Sequence, residues 1–224
     1  MERAIYNLII TILYIPYVCL ILFRKILNKE HKSKFKEKIL FNNARRPNGY
    51  LFWFHAVSLG EFNSILPFVD FYLKKDEKFK FLITTTTLSS YNEYKKKFRD
   101  NNRVFHQFLP YDFKLLINNF LKNWRPDIIL FVDSEIWPNF IFEIEKKKLP
   151  FILFNGRITK KTFKKWFFFK SFSYNLFNSF SLCISSSKET AEYLKLLKAK
   201  NIKYFGNIKF CQSFENKTKN STDQ

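Results

Sequence analysis

Glycine is nearly absent. Four in 224 residues are too few and too scattered for a Walker loop or a G-x-G-x-x-G turn, which excludes the common nucleotide fingerprints. The three cysteines, Cys19, Cys183 and Cys211, lie far apart without C-x-x-C spacing, which excludes a disulfide scaffold and a zinc ribbon. The three histidines, His31, His55 and His106, stand near neither one another nor a cysteine, so the pattern argues against a His-based metal centre. Acidic residues are also scarce, 19 against 39 Lys and Arg, for a formal net charge of +20. A hydrophobic share of 46% is enough to build a core and excludes wholesale disorder.

The basic excess raises the local concentration of polyanions, whether nucleic acid, anionic lipid or a phosphorylated substrate. Charge alone does not choose among them. The chain is heavy in Lys, Asn, Ile and Phe together, with 30 Phe, a composition that also spreads charge over permissive surface positions.

The first segment supplies an address. Ala4 to Phe23 carries no charge and only Asn7 and Thr11 as plainly polar side chains. As a helix it extends ~30 Å, the thickness of a bilayer's hydrocarbon core. Arg24, Lys25, Lys29, Lys32 and Lys34 follow, a flank that keeps the remainder of the chain on the cytoplasmic side. A cleaved signal peptide fits less well, because the leading basic region is short and no small-x-small site follows. A buried core helix competes, but the uncharged run is long for one. Residues 1–25 are therefore read as a membrane-anchor helix and 26–49 as a basic tether.

From residue 50 onward, short apolar runs alternate with longer mixed ones. Strands are expected at Tyr50–His55, Phe79–Thr84, Val104–Leu109, Ile128–Val132, Phe151–Asn155, Leu182–Ser185 and Ile202–Phe205. Their weak alternation suits strands covered on both faces. Helices are expected at Glu61–Lys74, Ser90–Phe98, Phe113–Asn123, Pro138–Lys148, Thr162–Phe180 and Lys188–Leu197. Such βα repetition predicts an α/β fold, a Rossmann-like doubly wound parallel sheet spanning 50–210, with 211–224 as a polar tail.

In such sheets ligands sit beyond the carboxyl ends of the strands. There lie His55-Ala-Val-Ser-Leu-Gly-Glu61, Thr84 to Thr87, Asp133-Ser-Glu135-Ile-Trp-Pro-Asn139 and Asn155-Gly-Arg157. Glu61, after Ser58 and Gly60, stands where a helix begins; unpaired N–H groups there favour its ionised form, and an ionised carboxylate can take a proton from a sugar hydroxyl. Ser-x-Gly-Glu is equally an ordinary capping arrangement. If Glu135 comes near Glu61, repulsion raises the pKa of one of them. A metal role for Asp133 and Glu135 lacks a third ligand. Thr84, Thr85 and Thr86 can hold a sugar or phosphate, or serve as strand and cap residues. Arg157 can grip a phosphate or carboxylate bidentately, or simply face solvent. His55 can donate to a ligand, or be satisfied at its strand end. Lys160 to Phe180 interleaves bases with aromatics, a pattern compatible with stacking single-stranded nucleic acid, with a membrane surface or with a core helix carrying a basic outer face. No RNP motif or helix-turn-helix supports nucleic acid, and none is expected as a partner.

Taken in order, these blocks resemble the 3-deoxy-D-manno-octulosonic acid (Kdo) transferases of lipopolysaccharide assembly. His55-Ala-Val-Ser-Leu-Gly-Glu61 is similar to that family's HAVSVGE; the Thr84–Thr87 run, Leu109-Pro-Tyr-Asp112, Glu135-Ile-Trp-Pro-Asn139, Asn155-Gly-Arg157 and Gly206-Asn-Ile-Lys-Phe210 match further blocks. The resemblance reaches to about Phe210 and includes the anchor with its basic flank. It departs at Asp133, in the first acidic position of its block, and at Gly156, where Ala is usual.

The resemblance implies the N-terminal, acceptor-binding domain of a GT-B glycosyltransferase. Such enzymes transfer Kdo with inversion from CMP-Kdo to a lipid A precursor, at the cytoplasmic face of the bacterial inner (plasma) membrane. No catalytic metal or cofactor is implied beyond the donor substrate. Glu61 is implied as the general base, with Glu135 close by, and His55, Ser58, Gly60, Thr84, Thr85, Thr86, Asn139 and Arg157 as acceptor-binding or supporting residues. Residues 211–224 stand where a donor-binding domain is expected to begin, so the chain reads as an N-terminal half that needs that domain for transfer. The rival expectation is a non-catalytic membrane module binding anionic lipid.

Overall fold

A computed structural model describes residues 2–206; the 211–224 tail, Cys211 and positions 207–210 of the last matched block lie outside the described residues. The sheet has seven parallel strands: β1 (Tyr50–His55), β2 (Phe79–Thr85), β3 (Val104–Phe108), β4 (Ile128–Val132), β5 (Phe151–Gly156), β6 (Leu182–Ser185) and β7 (Ile202–Tyr204). Their spatial order is β3-β2-β1-β4-β5-β6-β7. The order reverses between β1 and β4, which pair with Phe54 beside Leu130 and His55 beside Phe131. This is the doubly wound Rossmann-like arrangement, and its crevice lies at the reversal.

Helices α2 (Leu59–Lys75) and α3 (Leu88–Phe98) cover one face; α4 (Lys114–Trp124), α5 (Pro138–Lys146), α7 (Lys170–Asn178) and α8 (Lys188–Leu196) pack on the other. Phenylalanine fills both layers. Phe54, Phe62 and Phe81 are fully buried on the α2 side, and Trp53, Phe131 and Phe140 on the other. Each contributes ~1.5–3 kcal/mol of burial free energy. Much of the Phe-rich composition is thus absorbed by the core, while Phe23, Phe41, Phe71, Phe168, Phe169 and Phe205 stay exposed.

Strand-to-helix turns recur with one chemistry. Ser58, Thr87, Thr159 and Ser187 each cap a helix, the hydroxyl accepting the N–H of the residue three positions on, which satisfies an otherwise orphaned donor. These caps start α2, α3, α6 (Lys160–Phe168) and α8 just past the strand ends. Element boundaries otherwise fall within two residues of those expected.

One expectation fails. Thr162–Phe180 is not a single helix: it breaks at Phe169 into α6 and α7. No Gly or Pro marks the break. The Ser173 hydroxyl, with one proton to donate, lies 2.8 and 2.9 Å from the Trp166 and Phe169 carbonyls, a local alternative to the helical ladder.

N-terminal to the sheet, α1 (Glu2–Ile26) is an apolar helix long enough to cross a membrane. The following segment is folded onto the domain. Phe35, Lys38 and Ile39 are buried around a 3-10 turn at Lys34–Lys38; the Lys38 ammonium is paired with buried Glu30, and Glu37 accepts the Phe108 N–H at 2.8 Å.

Candidate active site

The capped turn after β1 places Glu61 at the crevice. Its backbone N–H donates to Ser58 Oγ at 3.3 Å, and Ser58 Oγ donates to Glu61 Oε1 at 3.1 Å. The other oxygen, Oε2, accepts the Val57 N–H at 2.7 Å. The carboxylate is therefore fixed from both sides over the end of β1. It is half-buried. Burial raises its pKa above the ordinary carboxylate range, the Val57 and Ser58 hydrogen bonds oppose this, and the charges of Glu135 and Asp133 add to the rise. The helix N-terminus favours the ionised form of Glu61, while desolvation and like charge work against it, and the net direction of the shift is upward.

Glu135 approaches from the end of β4. Its Oε2 accepts the Trp137 indole N–H at 2.8 Å and lies 3.5 Å from His55 Nε2. His55 is fully buried; its Nδ1 faces the Thr84 carbonyl and hydroxyl at 3.2 and 3.0 Å. The Thr84 hydroxyl also accepts the Trp53 indole N–H at 2.8 Å. A chain of contacts thus runs from β2 through His55 to Glu135, and electrostatics joins Glu135 to Glu61. Asp133 ends β4 with φ +62°, a left-handed conformation that a short polar residue tolerates better than most and that turns the chain toward Glu135.

The other expected residues are placed as follows. Gly60 is not required sterically: a Cβ there meets only Ser58 Oγ, at 4.0 Å. Thr85 bonds the His106 ring at 2.9 Å, and the Thr86 carbonyl accepts from Lys38 Nζ at 2.8 Å. Asn139 is buried against Asp112, its amide donating to the Asp112 carbonyl at 2.7 Å. Arg157 is exposed, and its backbone N–H donates to the Asp133 carbonyl at 3.1 Å. It lines a pocket of about 450 Å³ with Asp133, Asn155, Ser186 and Glu189, which adjoins the Glu61 cluster through Asp133. Gly156, where the resembled family has Ala, adjoins that pocket; a Cβ there would come within 2.7 Å of the Leu153 side chain.

Sequence reasoning on its own gave no role to Asp112. It is fully buried, and its carboxylate accepts the Asn139 and Phe140 N–H groups at the start of α5, at 3.0 Å each, and the Tyr6 hydroxyl at 2.7 Å. Burial pushes its pKa up to about 7 against those three donors. The residue holds the helix that carries the Glu135–Asn139 block. Its signal was its place in Leu109-Pro-Tyr-Asp112, a block without an evident chemical role.

With this geometry established, comparison with known proteins decides the lineage. Residues 32–212 match the family described as 3-Deoxy-D-manno-octulosonic-acid transferase (kdotransferase). The chain belongs to this family. A 3-deoxy-D-manno-octulosonic acid transferase of Rickettsia bellii is 34% identical over 210 residues, 94% of this chain and 49% of that protein. A probable mitochondrial 3-deoxy-D-manno-octulosonic acid transferase of Arabidopsis thaliana is 37% identical over 143 residues, 64% of this chain and 32% of that protein. The chain spans about half the length of the Rickettsia bellii relative and corresponds to the family's N-terminal domain. Among solved structures, a putative UDP-N-acetylglucosamine 2-epimerase from Listeria monocytogenes superposes with a TM-score of 0.48 at 12% identity, covering 67% of this chain and 43% of that one.

Proposed function

We propose that this chain is the acceptor-binding half of an inverting Kdo transferase, with Glu61 as its general base. The observation that carries this reading is the half-buried Glu61 carboxylate, fixed at the switch point and electrostatically coupled to Glu135. With its pKa raised by burial and like charge, such a carboxylate is a stronger base than an exposed one.

In the proposed step, a sugar hydroxyl of a lipid A precursor attacks the anomeric carbon of CMP-Kdo. The new C–O bond forms as the bond to the CMP phosphate breaks; the hydroxyl proton passes to Glu61, and CMP leaves with the bonding electron pair. Attack opposite the leaving group inverts the anomeric centre. His55 and Trp137 orient Glu135, which sets the field at Glu61. The other half of the family's length binds the donor and stabilises the departing phosphate. The basic surface and α1 bring the domain to the cytoplasmic face of an anionic inner membrane, where the phosphorylated acceptor lies.

Co-expression with the donor-binding half of the Rickettsia bellii relative tests this reading. With CMP-Kdo and lipid A precursor, Kdo transfer is expected from the pair and from neither half alone. Silence of a stably associated pair would support instead a non-catalytic module that binds anionic lipid, a reading favoured by the long apolar helix and the surface lysines.

A further inference from the structure

Helix α1 touches the domain along its whole length. Near its start, the Arg3 guanidinium pairs with Glu143 at 3.3 Å and lies over the Phe142 ring. Tyr6 donates to Asp112 at 2.7 Å. Tyr14 donates to the Ile39 carbonyl and stacks on Phe113, and Tyr17 stacks on Tyr111 with centroids 4.3 Å apart. Ile21 is buried with Phe35 and Ile39, and Arg24 pairs with Glu30 at 2.8 Å. Residues 3, 6, 14, 17, 21 and 24 follow spacings of three, four or twice four, the signature of one helix face. From Arg3 to Arg24 that face runs ~30 Å. A helix crossing the bilayer can touch a domain outside the membrane only near one end.

The opposite face is open and almost wholly apolar, with Thr11 its one hydroxyl, turned back to the Asn7 carbonyl. Leu8, Ile12, Ile15, Phe23 and Ile26 are 58–75% exposed. Beside the N-terminal half of α1, the break between α6 and α7 presents Phe168 at 80% exposure and Phe169 at 54%. Phe169 shares with Ile5, Ile9 and Trp166 an apolar groove that joins this break to α1. Lys164, Lys165 and Lys170 are exposed around the two rings.

We propose that α1 lies in the plane of one leaflet, held to the domain by its tyrosine and arginine face, and that its outer face with Phe168 and Phe169 forms a single surface for an anionic bilayer. The lysines supply the charge complementarity to acidic headgroups, and the rings and α1 supply the buried apolar area. The inference rests on the reading of α1 as membrane-associated and goes beyond it, because it fixes the topology and assigns Phe168 and Phe169 a role; most of the other aromatics of Lys160–Phe180 pack in or on the core.

The test uses the full chain in bacterial cells, with cysteines 19, 183 and 211 replaced by serine and a single reporter at Glu2→Cys or Lys161→Cys. A membrane-impermeant maleimide is expected to label neither position in spheroplasts and both in inverted vesicles. Labelling of Glu2→Cys in spheroplasts, with Lys161→Cys protected, means that α1 crosses the bilayer and overturns the proposal while leaving the proposed chemistry intact. Recovery of the chain in the soluble fraction, with the α1 face covered by a second copy, overturns both the proposal and the membrane reading. In reconstituted anionic vesicles, a fluorophore on Phe168→Cys is expected to lose about half its emission to doxyl-labelled lipid, and one on Lys96→Cys, on the opposite face of the sheet, to keep it. Equal emission from both would remove the aromatic break from the surface.

Discussion

Two helix N-termini in this molecule hold a carboxylate, one half-buried and one sealed. At the start of α2, Glu61 is half-buried, receives two hydrogen bonds from its own turn and feels the charges of Glu135 and Asp133. At the start of α5, Asp112 is sealed, contacts two helical N–H groups and a tyrosine hydroxyl, and comes from a loop 27 residues away. Burial raises both pKa values. What separates them is access: Glu61 opens to the switch point of the sheet, whereas Asp112 closes a structural joint. A perturbed pKa alone does not nominate a base; the proposal for Glu61 rests on perturbation together with partial exposure at the switch point.

The largest expected effect on stability falls on the sealed carboxylate. Asp112→Asn puts an amide donor against one of two backbone donors, and about 2–3 kcal/mol of stability is expected to be lost in chemical denaturation. Next, the Asp112 pKa is raised on folding to about 7, so the folded state binds this proton more tightly than the unfolded state. Its contribution is complete below the unfolded carboxylate range and is lost as pH rises through about 7. Denaturation midpoints followed between those limits should show this decline in the wild type and a flatter profile in Asp112→Asn. At the open site, Glu135→Gln removes a like charge from Glu61 and lowers its pKa, so the acid limb of transfer by the complemented enzyme should move to lower pH. An unmoved limb would uncouple the two residues. The smallest effect is expected from Tyr6→Phe, which removes one of three donors to Asp112 and should cost about 1 kcal/mol.

The two sites also differ in how far they could be read from sequence. The position of Glu61 was legible because its turn is local: the strand Tyr50–His55, the Ser58 cap and the carboxylate three residues later; the charges of Glu135 and Asp133 reach it from another strand end. The sheet was legible for a similar reason, since unbroken Phe, Ile, Leu and Val runs of strand length alternate with polar, helix-length segments. The Asp112 joint was not, because its partners come from α1 and α5 and no local pattern announces them. The same holds for Asn139 and Thr85, whose side chains are occupied by distant partners, Asp112 and His106. The break at Phe169 escaped because no glycine or proline announces it in the sequence. Uniform hydrophobicity hid the two faces of α1, which only its tyrosine and arginine contacts distinguish.

The role of Glu61 is open to one direct measurement: Kdo transfer by the chain complemented with a donor-binding half, compared between wild type and Glu61→Gln. The substitution keeps the size of the side chain and can still accept the Val57 N–H, so unfolding of the variant should remain close to wild type. Transfer should be abolished. Near-normal turnover by a folded Glu61→Gln protein would contradict the assignment and leave the carboxylate as a helix cap.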